Sequence, residues 1–234
     1  MNKKFSLQTV FLVSMLFFLS PAYANDIYIQ QSGDNLDLDI TQDGQNNVAG
    51  TSLTGIALDG NTMTFSINQV GNSNIVSATI NGNTYTGNID LTGNSNDVAL
   101  LCDSADAGNC ETVSMSIDVT GDSADVNVSI GESADAQNFV GTIDITSAAS
   151  ETITLTADGT NADADIDITN SLGSAGNTAT YDINGNGDVN GHSLTHSHTG
   201  DGAVINMTQS GIYDNKIDVT TSGDNANIDI TQSD

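Results

Sequence analysis

The sequence predicts an all-β chain folded as a β-solenoid of stacked strand–turn–strand repeats, and three observations carry that prediction. Apolar and polar residues alternate with a period of two through most of the chain, the pattern of strands with one buried face. Turn residues, usually Gly with Asn, Asp or Ser, follow each alternating run after a short interval. The segment INQVGNSNIVSATI, Ile67 to Ile80, recurs loosely from end to end. A recurring unit that carries its own turn points to a repeat architecture.

Residues 1–24 stand apart from that pattern. Lys3 and Lys4 precede the apolar run VFLVSMLFFLS and an Ala-Tyr-Ala at 22–24, which predicts a secretory signal peptide cleaved before Asn25. The run is shorter than the roughly 20 apolar residues that span a bilayer. The expected mature chain, 25–234, is a single repeat domain, exported through the Sec route and the periplasm, with no membrane span after cleavage.

The alternating runs follow in order: LDLDITQ from Leu36, MTFSINQ from Met63, IDVTG from Ile117, IDIT from Ile143, ITLTADG from Ile153, ADIDITN from Ala164 and IDITQ from Ile228. No stretch has helical spacing. Short strands are expected about every 10–15 residues, giving about 7–9 rungs. The mature chain has no Pro, which would interrupt a strand ladder wherever it fell. Cys102 and Cys110, in CDSADAGNC, form a close pair in an exported chain; a local disulfide closing an insertion near 99–113 is expected.

Parity assigns the faces. Met63, Phe65, Ile67, Gln69 and Gly71 share one parity, and Asn74, Val76, Ala78 and Ile80 continue it past the turn, with Ser66 and Asn68 pointing outward. The same frame puts Val119 in the Gln69 position. It also puts Ala157 there, with Gly159 at the turn and Ala164, Ile166, Ile168 and Asn170 beyond it. An inward Gln or Asn is costly unless hydrogen-bonded. Repeats stacked about 4.8 Å apart let such amides donate and accept along the stack. Gly suits a bend that requires φ > 0. The Gln-x-Gly-x-x-Asn motif thus reads as one rung of a stack.

Charge removes whole classes of function. In the mature chain Lys216 stands alone against 30 acidic residues, a formal charge of −29. Nucleic-acid binding needs clustered Lys and Arg to neutralise phosphates. Catalysis has no support either: no carboxylate is singled out by a neighbouring base or nucleophile elbow, and no Gly-rich turn carries the Lys of a phosphate loop. No enzyme and no cofactor are expected.

At Gln69, Gly71 and Asn74, and at Gln42, Gly44 and Asn47, the chain resembles the curlin family, the subunits of curli fibres on bacterial surfaces. The likeness extends to Gln31 and Gly33, and to Gln209, Gly211 and Asn215 with one extra residue in the turn; Gln232 fits the family's second Gln position. It covers roughly 27–97 and 200–234, and the middle by pattern alone. It implies a secreted subunit of pilus-like cell-surface fibres that polymerises end to end as a functional amyloid, with a role in biofilm matrix and adhesion. It also implies a nucleator subunit and an outer-membrane secretion pore as partners. Family major subunits carry a Gly/Asn-rich leader, whereas here two residues separate the expected cleavage site from Ile27; this leaves the major or minor role open. The terminal repeats Ile27–Gln42 and Ile217–Gln232 are the expected templates for neighbouring copies, because edge strands expose unpaired backbone groups.

Two clusters could hold metal. His192, His196 and His198 share one parity, and His196 and His198 are the residues a zinc or copper site would use. Yet Leu194, His196, His198 and Gly200 fall on the positions of Phe65, Ile67, Gln69 and Gly71, which favours stacked structural histidines. Asp182, Asn184, Asn186 and Gly187 match four positions of a calcium loop, but Ser193 stands where such a loop needs Glu. Outward Asp rows (Asp37 and Asp39; Asp163, Asp165 and Asp167; Asp218 and Asp229) are expected to attract calcium or other divalent cations without a specific site. The alternative function is a monomeric acidic solenoid acting as an adhesin or a surface- or cation-binding module. Its flat face would include Thr41, Thr146, Thr156, Thr169 and Thr231.

Overall fold

The computed structural model of the chain describes residues 26–50, 55–71, 73–102, 112–131, 138–147, 151–158, 162–170, 177–184, 192–211 and 215–233. Every element among them is a strand. The chain enters through β1 (Asp26–Ile27) and β2 (Gln30–Ser32), one broken strand, then crosses to β3 (Leu36–Gly44) and returns through β4 (Val48–Ala49) and β5 (Ile56–Asp59). The pair β6 (Thr62–Gly71) and β7 (Ser73–Asn81) repeats that path, and β8 (Thr84–Cys102) and β9 (Thr112–Ile130) each run through a whole rung. Four further pairs complete the stack: β10 (Asn138–Ser147) with β11 (Glu151–Asp158), β12 (Ala162–Asn170) with β13 (Thr178–Asn184), β14 (Ser193–Thr199) with β15 (Val204–Ser210), and β16 (Lys216–Ser222) with β17 (Asn227–Ser233).

Each strand pairs in parallel with strands one rung away, so the chain winds as a β-solenoid. The first sheet stacks β3, β6, the leading halves of β8 and β9, β10, β12, β14 and β16. The second stacks β1–β2, β4–β5, β7, the trailing halves of β8 and β9, β11, β13, β15 and β17. Among the described residues the second sheet therefore has nine levels and the first has eight.

Alternation buries one face of each sheet, and the two buried faces close on each other. Ile67, Ile89, Ile117 and Ile143 lie in one register column of the first sheet, and Val76, Val98, Val126 and Ile153 in one of the second. All are buried, and burying each such side chain contributes about 1.5–3 kcal/mol. Volumes alternate where one column would otherwise overfill. A Cβ on Gly87 would strike the Phe65 ring and the Met115 sulfur above and below it.

Two expectations need correction. Not all strands are short: β8 and β9 each span 19 residues, and their pairing continues past Gly93 and Gly121, skipping only Asn94 and Asp122. The frame that put Ala157 in the Gln69 position is also half a rung out. Ala157 lies in the second sheet, on β11, paired with Ile130 and Ile183. The Gln69 column runs through Leu91, Val119, Ile145 and Ile168. Two alternating runs joined by a Gly turn look alike whether the turn lies within a rung or between rungs. Gly159 is outside the described residues.

Candidate functional site

The Gln-x-Gly-x-x-Asn residues build a rung-to-rung staple in the bend from the first sheet to the second. Asn74 is fully buried, and its Nδ2 donates to the Gln69 carbonyl of its own rung at 3.0 Å and to the Thr92 carbonyl of the next at 3.0 Å. Asn47 does the same toward Gln42 at 3.2 Å and Val70 at 2.8 Å. Gln69 Nε2 donates to Gln42 Oε1, and Gln42 Nε2 donates to the Val48 carbonyl at 3.1 Å. The Gln pair thus bonds side chain to side chain along the stack, whereas each Asn bonds to backbone.

The glycine of this motif is required by space. Gly71 does not have a positive φ, but a Cβ there would lie 2.8 Å from Asn47 Oδ1 and would strike the Gly44 carbonyl as well. Positive φ belongs instead to a second kind of bend. Gly33 and Asn35 adopt φ of 138° and 61°, and Gly223 and Asn225 adopt 149° and 61°, both in the sequence Ser-Gly-Asp-Asn.

Gln209 and Gln232 belong to a different ladder from Gln42 and Gln69. They lie in the second sheet, one above the other, where Gln232 Nε2 donates to Gln209 Oε1 at 3.2 Å and to the Asn215 carbonyl at 2.6 Å. Asn215 is only half-buried; its Nδ2 donates to the Gly211 carbonyl at 3.3 Å and its Oδ1 accepts from the His192 backbone at 3.1 Å. Gln31 and Gly33 sit at the corresponding end of the second sheet's first level, and both are exposed. One motif therefore marks two structural positions.

His196 and His198 take the interior positions of Ile67 and Gln69 through unbroken strand pairing. Their rings stack at 6.2 Å with 11° between planes. Across the interior, His196 Nδ1 lies 2.9 Å from the Tyr181 hydroxyl, and His198 Nε2 lies 3.4 Å from Asn177 Nδ2. Burial, reinforced by His198, pushes His196 down to about 4. Burial also lowers His198, opposed by its hydrogen bond to the Gly200 backbone. Among the described residues no group of three His, Cys, Asp or Glu side chains could hold a metal ion. Asp182 and Asn184 face outward and bond to each other at 2.6 Å; Asn186 lies outside the described residues.

Several features become visible only with the register. Asp90, Asp118 and Asp144 form one outward column across three levels, and Asp167 holds the next register position. Beside it Thr92, Thr120 and Thr146 form another, with Thr169 and then Thr199 at the next register positions. Burial and then the charges of Asp144 and Asp90 raise the Asp118 carboxyl, and burial with Asp125 raises Asp97. The side chains of Asp163, Asp165 and Asp167 are outside the described set. Thr41, Thr146 and Thr169 belong to the first sheet but Thr156 and Thr231 to the second, so the single Thr face expected above is divided between two. Glu151 is a buried carboxyl in the column that carries Asn96, and the Glu151 backbone donates to Asn177 Oδ1 at 3.3 Å. Nothing in its local sequence separates it from the other acids. Cys102 is disulfide-bonded, and the chain's other cysteine, Cys110, lies outside the described residues.

Both ends of the stack are open. Among the described residues β16 and β17 pair on one side only, with β14 and β15, and β1–β2 and β3 pair only with β4–β5 and β6. Ile228 and Ile230 of the final strand are 39% and 46% exposed, whereas residues in the same columns one rung below are buried. Leu36, Leu38, Ile27 and Ile29 are half-buried at the other end.

Comparison of the chain with family models, curated proteins and solved structures found no match.

Proposed function

We propose that this chain is a secreted structural subunit of an extracellular fibre, adding copies end to end through its open terminal strands. One observation carries the reading: the two ends present the same interior positions. Ile27 and Ile228 belong to one column, linked through Ala49, Val76, Val98, Val126, Ile153, Ala179 and Ile205. The segments read on in parallel, Ile27-x-Ile29-x-Gln31-Ser32 and Ile228-x-Ile230-x-Gln232-Ser233. Head-to-tail addition of such ends does not close and produces filaments. Burial of Ile228, Ile230 and their partners supplies the drive, and the alternation of interior and outward positions sets the register. The motif's likeness to curlin repeats extends the proposal to a biofilm matrix or adhesive fibre, with an outer-membrane pore and a nucleating subunit as partners. No catalytic role is assigned.

A second reading rests on the paired Asp and Thr columns. A monomeric solenoid could set this regular acidic face against a cation-rich or glycan surface and act as an adhesin. Negative-stain electron microscopy of residues 25–234 after incubation in salt separates the two. Unbranched filaments are expected; particles that stay single while binding such a surface would replace the first reading with the second.

A further inference from the structure

The two sheets do not end together, and this constrains how copies can join. Among the described residues the second sheet carries β1–β2 as an additional level below β4–β5, while the first sheet begins with β3. Suppose a copy is added with its β1–β2 on β17 of the copy before it. Its β3 then lies two levels above the preceding β16, and the first sheet lacks a strand at every junction. The backbone groups along β3 and β16 stay unpaired beside a gap lined by Leu38, Ile40, Ile217 and Val219. Unpaired backbone groups shielded from water are strongly unfavourable.

Both sheets become continuous if β1–β2 leaves its place. An incoming β17 then lies against β4–β5 while β16 lies against β3. The columns match throughout. Ile228 meets Ala49 and Ile230 meets Ile56, as Ile27 and Ile29 do within one chain; Gln232 meets Leu58 in place of Gln31. In the first sheet Ile217, Val219 and Thr221 meet Leu38, Ile40 and Gln42 through the columns that already join them. Lys216, the only Lys or Arg in the described residues, shares its outward column with Asp37. The series runs through Thr64, Thr86, Ser114, Val140, Asp163 and Ser193. Across the junction the lone cation stacks on a carboxylate.

We propose that the segment Asp26–Ser32 is a plug, bound in cis on the strand edge that β17 of a second copy takes in trans. This rests on the end-to-end reading above and adds a control step to it. The plug is suited to release: β1 and β2 pair over only two and three residues, against seven for β17 on β15. Its Tyr28, Gln30, Gln31 and Ser32 are exposed. It is also a close sequence match to the strand that replaces it, so the edge is satisfied before and after exchange.

Cysteine pairing in the full mature chain tests the exchange. Gln30, Ala57 and Thr231 share one outward column at three levels. Copies carrying Thr231→Cys are mixed under mild oxidation with copies carrying either Ala57→Cys or Gln30→Cys. A dominant cross-copy bond to position 57 is the expected result. A dominant bond to position 30 shows that copies add on top of the plug and overturns the proposal while leaving end-to-end assembly intact. No cross-copy bond to either position overturns both. In a second arm, Gln30→Cys and Ala57→Cys in one chain lock the plug in place. Loss of filament growth when oxidised, restored by a reductant that leaves the wild type growing, is expected; unimpaired growth of the locked chain sinks the idea.

Discussion

His196 Nδ1 lies 2.9 Å from the hydroxyl oxygen of Tyr181, joining the two sheets across the interior of the solenoid. A polar bridge here makes the stack sensitive to acid. An unfolded His titrates near about 6.5, but the buried His196 is held down to about 4. Below pH 6.5 the unfolded chain takes a proton that the folded chain refuses. Stability is therefore full above that pH and falls toward pH 4 by about 1.4 kcal/mol per unit, roughly 3 kcal/mol in all. The raised Asp97 and Asp118 carboxyls act in the opposite sense, gaining stability as pH falls through the carboxylate range. Replacing His196 by Ile, the residue type of its column at Ile67, should shrink the drop in Tm between pH 7 and pH 4.5. An unchanged drop would place the acid sensitivity elsewhere.

The Asn staple is expected to carry measurable stability. Asn74→Ala removes two hydrogen bonds to backbone carbonyls and leaves both acceptors in a buried bend. A loss of about 2–3 kcal/mol is expected in urea unfolding. Asn88→Ala, on the outward face, should change stability by less than about 0.5 kcal/mol. Equal effects would mean that the staple does not hold adjacent rungs together.

Tyr85 is buried, and its hydroxyl has no hydrogen-bond partner among the described residues. Burial drives the phenol's pKa upward. Tyr85→Phe keeps the ring packed against Phe65, whose centroid is 6.1 Å away, and removes an unbonded polar atom. It should stabilise the fold by about 1 kcal/mol. Tyr181→Phe, which loses its His196 bond, should destabilise it. Calorimetry on the two variants that gives the same sign for both would contradict this assignment.

Outward carboxylates set a salt dependence. Asp90, Asp118 and Asp144 lie in one column at strand spacing, about 4.8 Å per level and well inside the roughly 10 Å screening length at 0.1 M salt. End-to-end addition stacks Asp218 on Asp39, the two ends of a neighbouring column, and should accelerate with added salt, and further with millimolar calcium. Light scattering that reports the same rate in chelator and in calcium would count against cation uptake by these rows.

Gln232 is the exposed member of its ladder, so its effect should appear in assembly more than in folding. Gln232→Glu is expected to slow filament growth markedly while leaving the Tm of the monomer nearly unchanged. Asp229→Glu, on the outward face of the same strand, serves as the comparison. If both variants grow alike, the interior amide does not set the junction.

The faces of the strands were legible because alternation is local: Met63, Phe65, Ile67 and Gln69 announce their side by parity alone. The histidine register was legible for the same reason. Which bend a Gly marks was not, since Ala157 and Gln69 precede similar turns yet belong to different sheets. That distinction depends on which rung lies above, a relationship between residues more than 20 positions apart. The Asp90–Asp118–Asp144 column and the buried Glu151 were hidden for this reason too. The need for Gly71 is one of space and not of φ, because the Gly44 carbonyl and Asn47 of the previous rung crowd its position.

The interior glutamines are unevenly placed. Gln42 and Gln69 lie near one end and Gln209 and Gln232 near the other, while Leu91, Val119 and Ile145 continue the Gln69 column through the middle. Aliphatic columns tolerate a misplaced neighbour of similar size, since one branched side chain fills much the same volume as the next. An amide does not, because a shifted partner leaves its donors and acceptors unanswered in a dry interior. Under the proposed end-to-end assembly, the chain thus keeps its glutamines near the ends that would meet another copy and leaves aliphatic packing in that column where its own covalent continuity already guarantees the order.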